Sequence, residues 1–238
     1  MVVTNDFGGK NMIYLNQTDP TTNEHLIIRN ETPDDYLAVE AMTRAAFWNL
    51  YIPGCMEHYL VHQMRDTSDF IAPLDLVLTR NDQIVGNIMY TKATLTDETG
   101  HVKPVITFGP ICVQPGYQRR GFSKLLINTS FELAKSLGHD TVIIFGMPAN
   151  YVARGFRNGY DFHVGLPGPQ YPTAMLVKEL VPHVLDGHDW TYQESPVMEV
   201  TMANVEAFDN TLPPLKKAWQ PSQEEFKIIS HSFIQKNE

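Results

Sequence analysis

The sequence predicts an α/β fold (α+β in some classification schemes) built on a mixed β-sheet. The predicted elements follow the order β-α-α-β-β-β-α-β-α-β-β, which is neither a regular β-α-β alternation nor an all-β pattern. Apolar residues make up 43% of the 238 residues and charged residues 19%, so the chain can bury a core. At about 150 residues per domain, this length fits one domain with an extension.

The first part of the chain predicts one strand and two helices after a loose polar arm. Residues 1–24 are polar and show no clear period, and HLIIRN (25–30) is a short apolar run typical of a strand. A helix is predicted over 33–48, where Thr32 can cap the N-terminus and apolar residues recur at helical spacing. CMEHYLVHQMR (55–65) predicts the second helix.

Three consecutive strands are predicted next. LDLVLTR (74–80) and QIVGNIMYTKATL (83–95) flank Asn81-Asp82, a pair typical of a hairpin turn. KPVITFGPICVQ (103–114) is the most apolar strand of the chain, and it contains Pro110. Because proline has no N–H to donate, the pairing of this strand is expected to break there.

The remaining elements alternate between helices and strands. Phe122 begins an amphipathic helix that ends at Gly138, and TVIIFG (141–146) predicts a buried strand. MPANYVARGF (147–156) predicts a short helix. The other predicted elements are strands at 160–166, 173–180 and 191–200 and helices near 204–208 and 222–235.

Charge and cysteine content exclude several classes of protein. The net charge is −9 and the pI is about 5.4, which argues against nucleic-acid binding. Cys55 and Cys112 are too few for a disulfide framework. The sequence shows neither an apolar run long enough to span a membrane nor a signal-peptide pattern. We therefore expect a cytoplasmic protein with no membrane partner.

The turn Gln118–Ser123, between a strand and a helix, is a candidate anion site. Free N–H groups at a helix N-terminus carry partial positive charge, and Gly121 allows an anion to approach the backbone. Arg119, Arg120 and Lys124 add positive charge beside it. A phosphate or pyrophosphate is the expected ligand.

Two nucleotide-binding motifs do not fit this turn. Gly116 and Gly121 have the spacing of a Walker A loop, but Phe122-Ser123 follow where Lys and Ser or Thr belong. The chain also lacks the G-x-G-x-x-G loop of a Rossmann fold. ATP binding would be needed to revive a nucleotide-enzyme interpretation.

The same turn resembles the acyl-CoA pyrophosphate loop of the GNAT N-acetyltransferase superfamily, whose pattern is Q/R-x-x-G-x-G/A. Gln118, Gly121 and Ser123 stand at its three key positions, with Ser in place of Gly or Ala. Tyr151 begins a segment similar to the family's Y-x-x-x-G-F. The resemblance covers about 25–180 and is strongest to a bacterial subgroup of predicted GNAT acetyltransferases with a C-terminal extension, here 181–238.

The resemblance implies a GNAT-like, mixed and splayed sheet and direct transfer of acetyl from acetyl-CoA to a primary amine, without an acyl-enzyme. The enzyme would then be an acyltransferase for groups other than amino-acyl groups. No metal is expected. The residues implied in acetyl-CoA binding are Ile111, Cys112, Val113, Gln118, Arg119, Arg120, Gly121, Phe122, Ser123, Lys124 and Asn150.

The resemblance also implies a general acid and leaves the base open. Tyr151 is the expected acid for the departing thiolate, and its alternative role is a packing aromatic. The strand 105–113 has no carboxylate, which excludes a base there. In the family, the helix at this place lines the acceptor cleft, so the resemblance makes Glu57, His58 and His62 the candidate bases, unless they form an ordinary solvated helix face. The aromatic residues Trp48, Tyr51, Tyr59 and Phe70 are candidates for an acceptor pocket or for core packing.

Other interpretations of the sequence remain open. His58 and His62 have a metal-ligand spacing, and Cys112 could be a nucleophile or a small buried apolar residue. The chain could hold acyl-CoA as a sensor without turnover, or transfer a longer acyl group. The acceptor is a small-molecule or peptide amine, and the negative net charge favours a cationic one. A homodimer is compatible with the sequence.

Overall fold

The computed structural model describes residues 4–5, 12–19, 22–168 and 170–235. Its helices are α1 (Tyr36–Phe47), α2 (Glu57–Met64), α3 (Phe122–Ser136), α4 (Pro148–Tyr151), α5 (Met202–Asp209) and α6 (Pro221–Ser230). Its strands are β1 (Thr4–Asn5), β2 (Met12–Thr18), β3 (His25–Asn30), β4 (Leu76–Arg80), β5 (Gln83–Asp97), β6 (Val102–Val113), β7 (Thr141–Phe145), β8 (Arg157–Asn158), β9 (Val164–Gly165), β10 (Tyr171–Pro172), β11 (Met175–Glu179), β12 (Trp190–Glu194) and β13 (Phe233–Ile234).

One large mixed sheet organises the described residues. The strands lie in the order β1-β2-β3-β4-β5-β6-β7-β11-β8, and β12 pairs with β5 and β9. Most neighbours are antiparallel, whereas β6 and β7 are parallel, as are β9 and β12. The predicted α/β class with a mixed sheet is therefore confirmed.

The β4–β5 hairpin follows from its two turn residues. Asn81 and Asp82 have φ values of 46° and 66°, the left-handed conformation that a tight two-residue hairpin requires. Asn and Asp tolerate this conformation better than other residues with a side chain. The hairpin places β5 at the centre of the sheet, where its long second half also pairs with β6 and β12.

The break expected at Pro110 is present, and it coincides with the splay of the sheet. The register between β5 and β6 shifts between Ile88 and Tyr90, opposite this part of β6. On its other side, β6 pairs with β7 at Ile106 and Val142. Between Ile106 and Val113, β6 has no pairing with β7 among the described residues, so backbone groups face a gap there.

Helices cover both faces of the sheet. The apolar side of α3, with Leu126 and Ala134 fully buried, packs into the main core with β4, β5, β6 and β7. Helices α1 and α2 pack in a second cluster with Val77 and Met89. The loop before α3 and the loop before α2 both lie beside the unpaired part of β6.

Part of the predicted arm forms strands of the sheet, so the prediction of a loose arm over 1–24 is wrong for 4–5 and 12–18. There β2 pairs with β3, and Tyr14 is buried with its hydroxyl donating to Asn30 Oδ1 at 2.8 Å. A register shift between Ile13 and Leu15 disrupts the alternation by which a strand is recognised. The rest of the predicted arm at 1–3, 6–11 and 20–21 lies outside the described residues.

Two further strands are shorter than predicted. A 3-10 turn covers Gly159–Phe162, so only Val164–Gly165 of the strand expected at 160–166 is extended. The strand expected at 191–200 ends at Glu194, because Ser195 caps a second 3-10 turn by accepting from Val197 N. No helix in the described part of the chain combines the length and apolarity that a membrane crossing needs.

The C-terminal residues contribute to the sheet and to the loop before α2. Strand β12 pairs with β5, and residues from Lys216 to Gln223 form hydrogen bonds with the loop after α1. The proposed division at residue 180 stays a prediction.

Candidate active site

A cavity of about 500 Å³ opens beside the unpaired part of β6. Its walls come from β6, the start of α3, the segment from β7 to α4, and the residues joining α1 to α2. Most of the predicted site residues line it, namely Glu57, Ile111, Cys112, Val113, Gln118, Arg119, Gly121, Phe122, Ser123, Asn150 and Tyr151. Arg120, Lys124 and His58 are not among the described residues that line it.

The N-terminus of α3 gives one end of this cavity a positive character. Gly121 precedes the helix with φ +84° and carries no side chain, so the first N–H groups of α3 have no side-chain cap. Arg119 also lines the cavity, and Arg154, from the 3-10 turn after α4, has its Nη2 3.5 Å from Ser123 Oγ. Backbone dipoles and two guanidinium groups therefore converge on one place.

A braced loop holds this end in position. Gln118 donates from Nε2 to Val113 O at 3.2 Å, which ties the loop to β6. The Tyr117 ring lies 5.1 Å from the guanidinium carbon of Arg80 and 5.3 Å from that of Arg120. Glu24 forms an ion pair with Arg80 and lies 4.0 Å from Arg120. Arg120 therefore supports the loop from outside the cavity.

Tyr151 lines the cavity from the end of α4. Its ring packs against Phe108 and Phe156, with centroids 5.8 and 5.7 Å apart. It lies so close to Gly146 that a Cβ there would be 2.6 Å from Tyr151 Cε2, so only glycine permits this ring position. Burial raises the pKa of the hydroxyl, which stays protonated at neutral pH. Tyr151 thus packs against other aromatic residues and also keeps a protonated hydroxyl in a residue that lines the cavity.

Glu57 is the carboxylate in the cavity wall among the described residues. It stands in the first turn of α2, and its Oε2 accepts from Met56 N at 3.0 Å. Burial raises the pKa of Glu57 to about 7. A carboxylate with this pKa is about half ionised at neutral pH and can accept a proton from a ligand in the cavity.

The two histidines of α2 are engaged elsewhere. His58 is fully buried, with Nδ1 3.1 Å from Cys55 Sγ and Nε2 3.4 Å from Asp209 Oδ1. Burial lowers its pKa. His62 is exposed, with Nδ1 3.0 Å from Glu40 Oε1. Because the two imidazoles have different carboxylate partners, the structure does not bring them together as metal ligands.

Cys112 has the surroundings of a structural thiol. Its Sγ lies 3.3 Å from Thr43 Oγ1, and its side chain is buried on the face of β6 toward α1. Burial raises the pKa of this thiol to about 11. A thiol that holds its proton so strongly is a poor nucleophile at neutral pH, which favours the small-apolar-residue interpretation.

Of the aromatic residues considered for an acceptor pocket, one lines the cavity, and three other residues that line it were not identified from the sequence. Tyr51 lines the cavity, whereas Trp48, Tyr59 and Phe70 are not among its described lining residues. Arg154 was missed because it lies in a 3-10 turn after α4, where no helical spacing links it to the other cavity residues. Phe145 and Met147 enter the wall only because the chain bends away from the sheet after β7.

Comparisons with known proteins agree with this architecture. The model of the acetyltransferase (GNAT) family matches residues 44–159. The uncharacterized N-acetyltransferase YjhQ of Escherichia coli is 28% identical over 123 residues, and the match spans 48% of this chain and 66% of that relative, just under two thirds of its length.

Two solved structures share the fold. The GNAT family N-acetyltransferase YhbS of Escherichia coli, in complex with CoA, is 22% identical with a TM-score of 0.64, covering 76% of this chain and 95% of that one. A GNAT family acetyltransferase from Brucella melitensis, in complex with acetyl-CoA, is 20% identical with a TM-score of 0.59, covering 74% and 99%.

Proposed function

The central part of this chain is a domain of the GNAT acetyltransferase superfamily, and on that premise we propose that the protein transfers an acetyl group from acetyl-CoA to a primary amine. One observation carries the proposal. A single cavity is lined by the uncapped N-terminus of α3 and also by Glu57 and Tyr151. The first feature suits an anionic cosubstrate, and the second suits a reaction that moves two protons.

The residues of the cavity fit acetyl-CoA. The pyrophosphate is expected at the α3 N-terminus, where backbone N–H groups, Arg119 and Arg154 supply positive charge. The unpaired backbone of β6, up to Val113, offers N–H and C=O groups to the amides of the pantetheine arm. Relatives of the same fold that bind CoA and acetyl-CoA support this assignment. Acetyl-CoA supplies the acetyl group as an activated thioester.

The chain's own residues supply the proton transfers. Glu57 accepts the proton that the amine must lose as its nitrogen forms a bond to the acetyl carbon. The carbon–sulfur bond breaks, and Tyr151 donates its proton to the departing thiolate. A backbone N–H near Ile111 would polarise the carbonyl oxygen. Since the amine attacks the thioester directly, Cys112 needs no covalent role.

Calorimetric titration with acetyl-CoA tests the binding half of the proposal. We expect micromolar binding to the wild type and a loss of at least about tenfold in Gly121→Asp, because a carboxylate would stand where the pyrophosphate binds. Gly121→Asn is the charge control, since Asn also tolerates a positive φ. Gly138→Asp is the position control, because Gly138 has φ +88° and open space at the other end of α3.

The outcomes separate the proposal from its alternatives. No binding to the wild type would overturn it. Binding that responds equally to all three variants would remove the α3 N-terminus from the site. Binding without release of free thiol, across a panel of primary amines, would identify an acyl-CoA sensor instead of an acetyltransferase.

A further inference from the structure

A second cavity, of about 300 Å³, adjoins the first. The two cavities share four wall residues, Tyr51, Phe145, Gly146 and Met147, so they meet just beyond the end of β7. This junction lies next to the chemistry, because Gly146 is the residue over which the Tyr151 ring packs. An amine acceptor whose nitrogen binds in the first cavity near Tyr151 could therefore extend the rest of its structure into the second cavity.

The second cavity is apolar. Its remaining walls are Leu166, Pro172 and Ala174 from the sheet side and Phe226, Ile229 and Phe233 from the C-terminal residues, with Ser230 at the edge. None of its described wall residues carries a charged side chain. A volume of about 300 Å³ is at the lower end of the range for small-molecule pockets, which suits one compact group.

The C-terminal wall is held firmly in place. The Phe226 ring packs against Tyr51 with centroids 4.8 Å apart. Strand β13, which contains Phe233, pairs with β10 through Pro172. Helix α6 is fixed at its start by Gln223, whose Nε2 donates to Asn49 O at 2.9 Å. The wall is therefore a built part of the site.

From these contacts we infer that the acceptor is a primary amine carrying a compact aromatic or branched aliphatic group, and that the second cavity binds this group. The inference rests on the proposed acetyl transfer. An apolar group gains by leaving water for such walls, whereas a second ammonium group of a polyamine would be buried there without a counter-charge. The cavity thus opposes the cationic acceptor that the net charge of −9 favours.

The test is calorimetric titration of the CoA-saturated protein with 2-phenylethylamine and, separately, with spermidine. The key variant is Ile229→Glu, which places a carboxylate in the second cavity. Its matched control is Ile228→Glu, the same change at the adjacent residue, whose side chain is 60% exposed. Acetyl-CoA affinity, measured first for each protein, reports folding and the phosphate site independently of the amine.

We expect 2-phenylethylamine to bind at least about tenfold more tightly than spermidine to the wild type. Ile229→Glu should lower the affinity for 2-phenylethylamine at least tenfold, and Ile228→Glu should change it less than about twofold, with acetyl-CoA affinity unchanged in both. Tighter binding of spermidine, or equal effects of the two variants, would overturn the inference while leaving acetyl-CoA binding intact.

A further arm distinguishes an apolar acyl group from an apolar acceptor. Hexanoyl-CoA and acetyl-CoA are titrated against the wild type and Ile229→Glu. We expect the variant to treat both thioesters alike. A selective loss of hexanoyl-CoA binding, with amine binding unchanged, would assign the second cavity to the acyl chain and overturn the inference. Failure of the wild type to bind acetyl-CoA would instead remove the proposed function itself.

Discussion

Glu57 and His58 are neighbours in sequence, but one turn of α2 gives them opposite environments. An α-helix rotates by about 100° per residue, so adjacent side chains face different directions. Glu57 lines the cavity, whereas His58 lies beneath α5 against Asp209. Both residues were candidate bases in the sequence because local spacing does not show which element packs against α2. That element is α5, which follows over 140 residues later in the chain. Only the position of α5 separates them.

We predict that Glu57→Gln lowers kcat by about 100-fold or more without changing acetyl-CoA affinity, because the general base is lost. The wild-type kcat should rise with pH, reach half of its maximum near pH 7 and level off above that, as Glu57 becomes fully ionised. The variant should lack this rise. Steady-state rates of thiol release between pH 5 and 9 measure both effects, and a pH profile shared by the two proteins would exclude Glu57 as the base.

We also predict that Glu57→Gln raises the free energy of unfolding, and that this gain depends on pH. Folding raises the pKa of Glu57 above its ordinary value of 4.5, so the folded wild type loses stability as pH rises from that value through about 7. Glu57→Gln should therefore be more stable at pH 8, by up to about 3 kcal/mol, and equally stable near pH 4. Urea unfolding at the two pH values measures this difference.

Tyr151→Phe keeps the ring and removes only the hydroxyl. We expect kcat to fall by about 100-fold, with acetyl-CoA affinity changed less than about threefold, because the thiolate loses its proton donor. Tyr160→Phe is the matched control, since Tyr160 packs against Tyr171 away from the cavity. Unchanged turnover in Tyr151→Phe would leave this side chain with a packing role alone.

At the scale of elements, the sequence predicts the bounds of a helix or strand well where its apolar residues follow one clear pattern. The pattern of α3 and the apolar run of β7 predicted their bounds closely, and Pro110 located the break in β6. Strand β2 was missed because its register shift removes the alternation of a half-buried strand. The turn Gln118–Ser123 could be identified in the sequence as a candidate anion site because its charged residues and its glycine are consecutive.

Helix α5 is joined to α1 and α2 by one carboxylate, that of Asp209, whose side chain is 16% exposed. Asp209 Oδ1 accepts from Arg44 Nε at 2.9 Å, and the Arg44 side chain is only 8% exposed. Asp209→Ala would leave this guanidinium buried without its counter-charge, so we expect a loss of about 3 kcal/mol in urea unfolding. Glu206→Ala, an exposed change on the same helix, should stay within about 0.5 kcal/mol. Similar values for both variants would contradict the role of the pair.

At the scale of the molecule, residues 216–223 are tied through Asn49 to the loop between α1 and α2. The Nδ2 of Asn49 donates to Lys216 O at 3.1 Å, and its Oδ1 accepts from Ala218 N at 2.9 Å. This clasp holds the loop that contains Tyr51. It could not be predicted from the sequence, because the partners lie 167 and 169 residues apart.

We predict that Asn49→Gly raises the KM for the amine by at least about fivefold and leaves acetyl-CoA affinity unchanged. Gly preserves the positive φ of 62° at this position, so the substitution removes the side-chain hydrogen bonds alone. Hydrogen exchange in 221–234 should accelerate. Asn81→Gly is the matched control, since Asn81 also has a positive φ and accepts from His25 N far from the cavity. If both variants raise this KM equally, the clasp has no specific role.

The clasp has a consequence for the order in which the protein is made. A ribosome delivers residues 22–168, which contain β6, α3 and α4, well before it delivers Lys216, Gln223 and Phe233. All the described residues that line the first cavity, except Met198, are therefore synthesised while the C-terminal wall of the second cavity is still inside the exit tunnel or not yet made. A nascent chain at that stage would have the apolar residues Tyr51, Phe145 and Met147 open to bulk water on the side of the second cavity, and synthesis of Phe226, Ile229 and Phe233 covers that side.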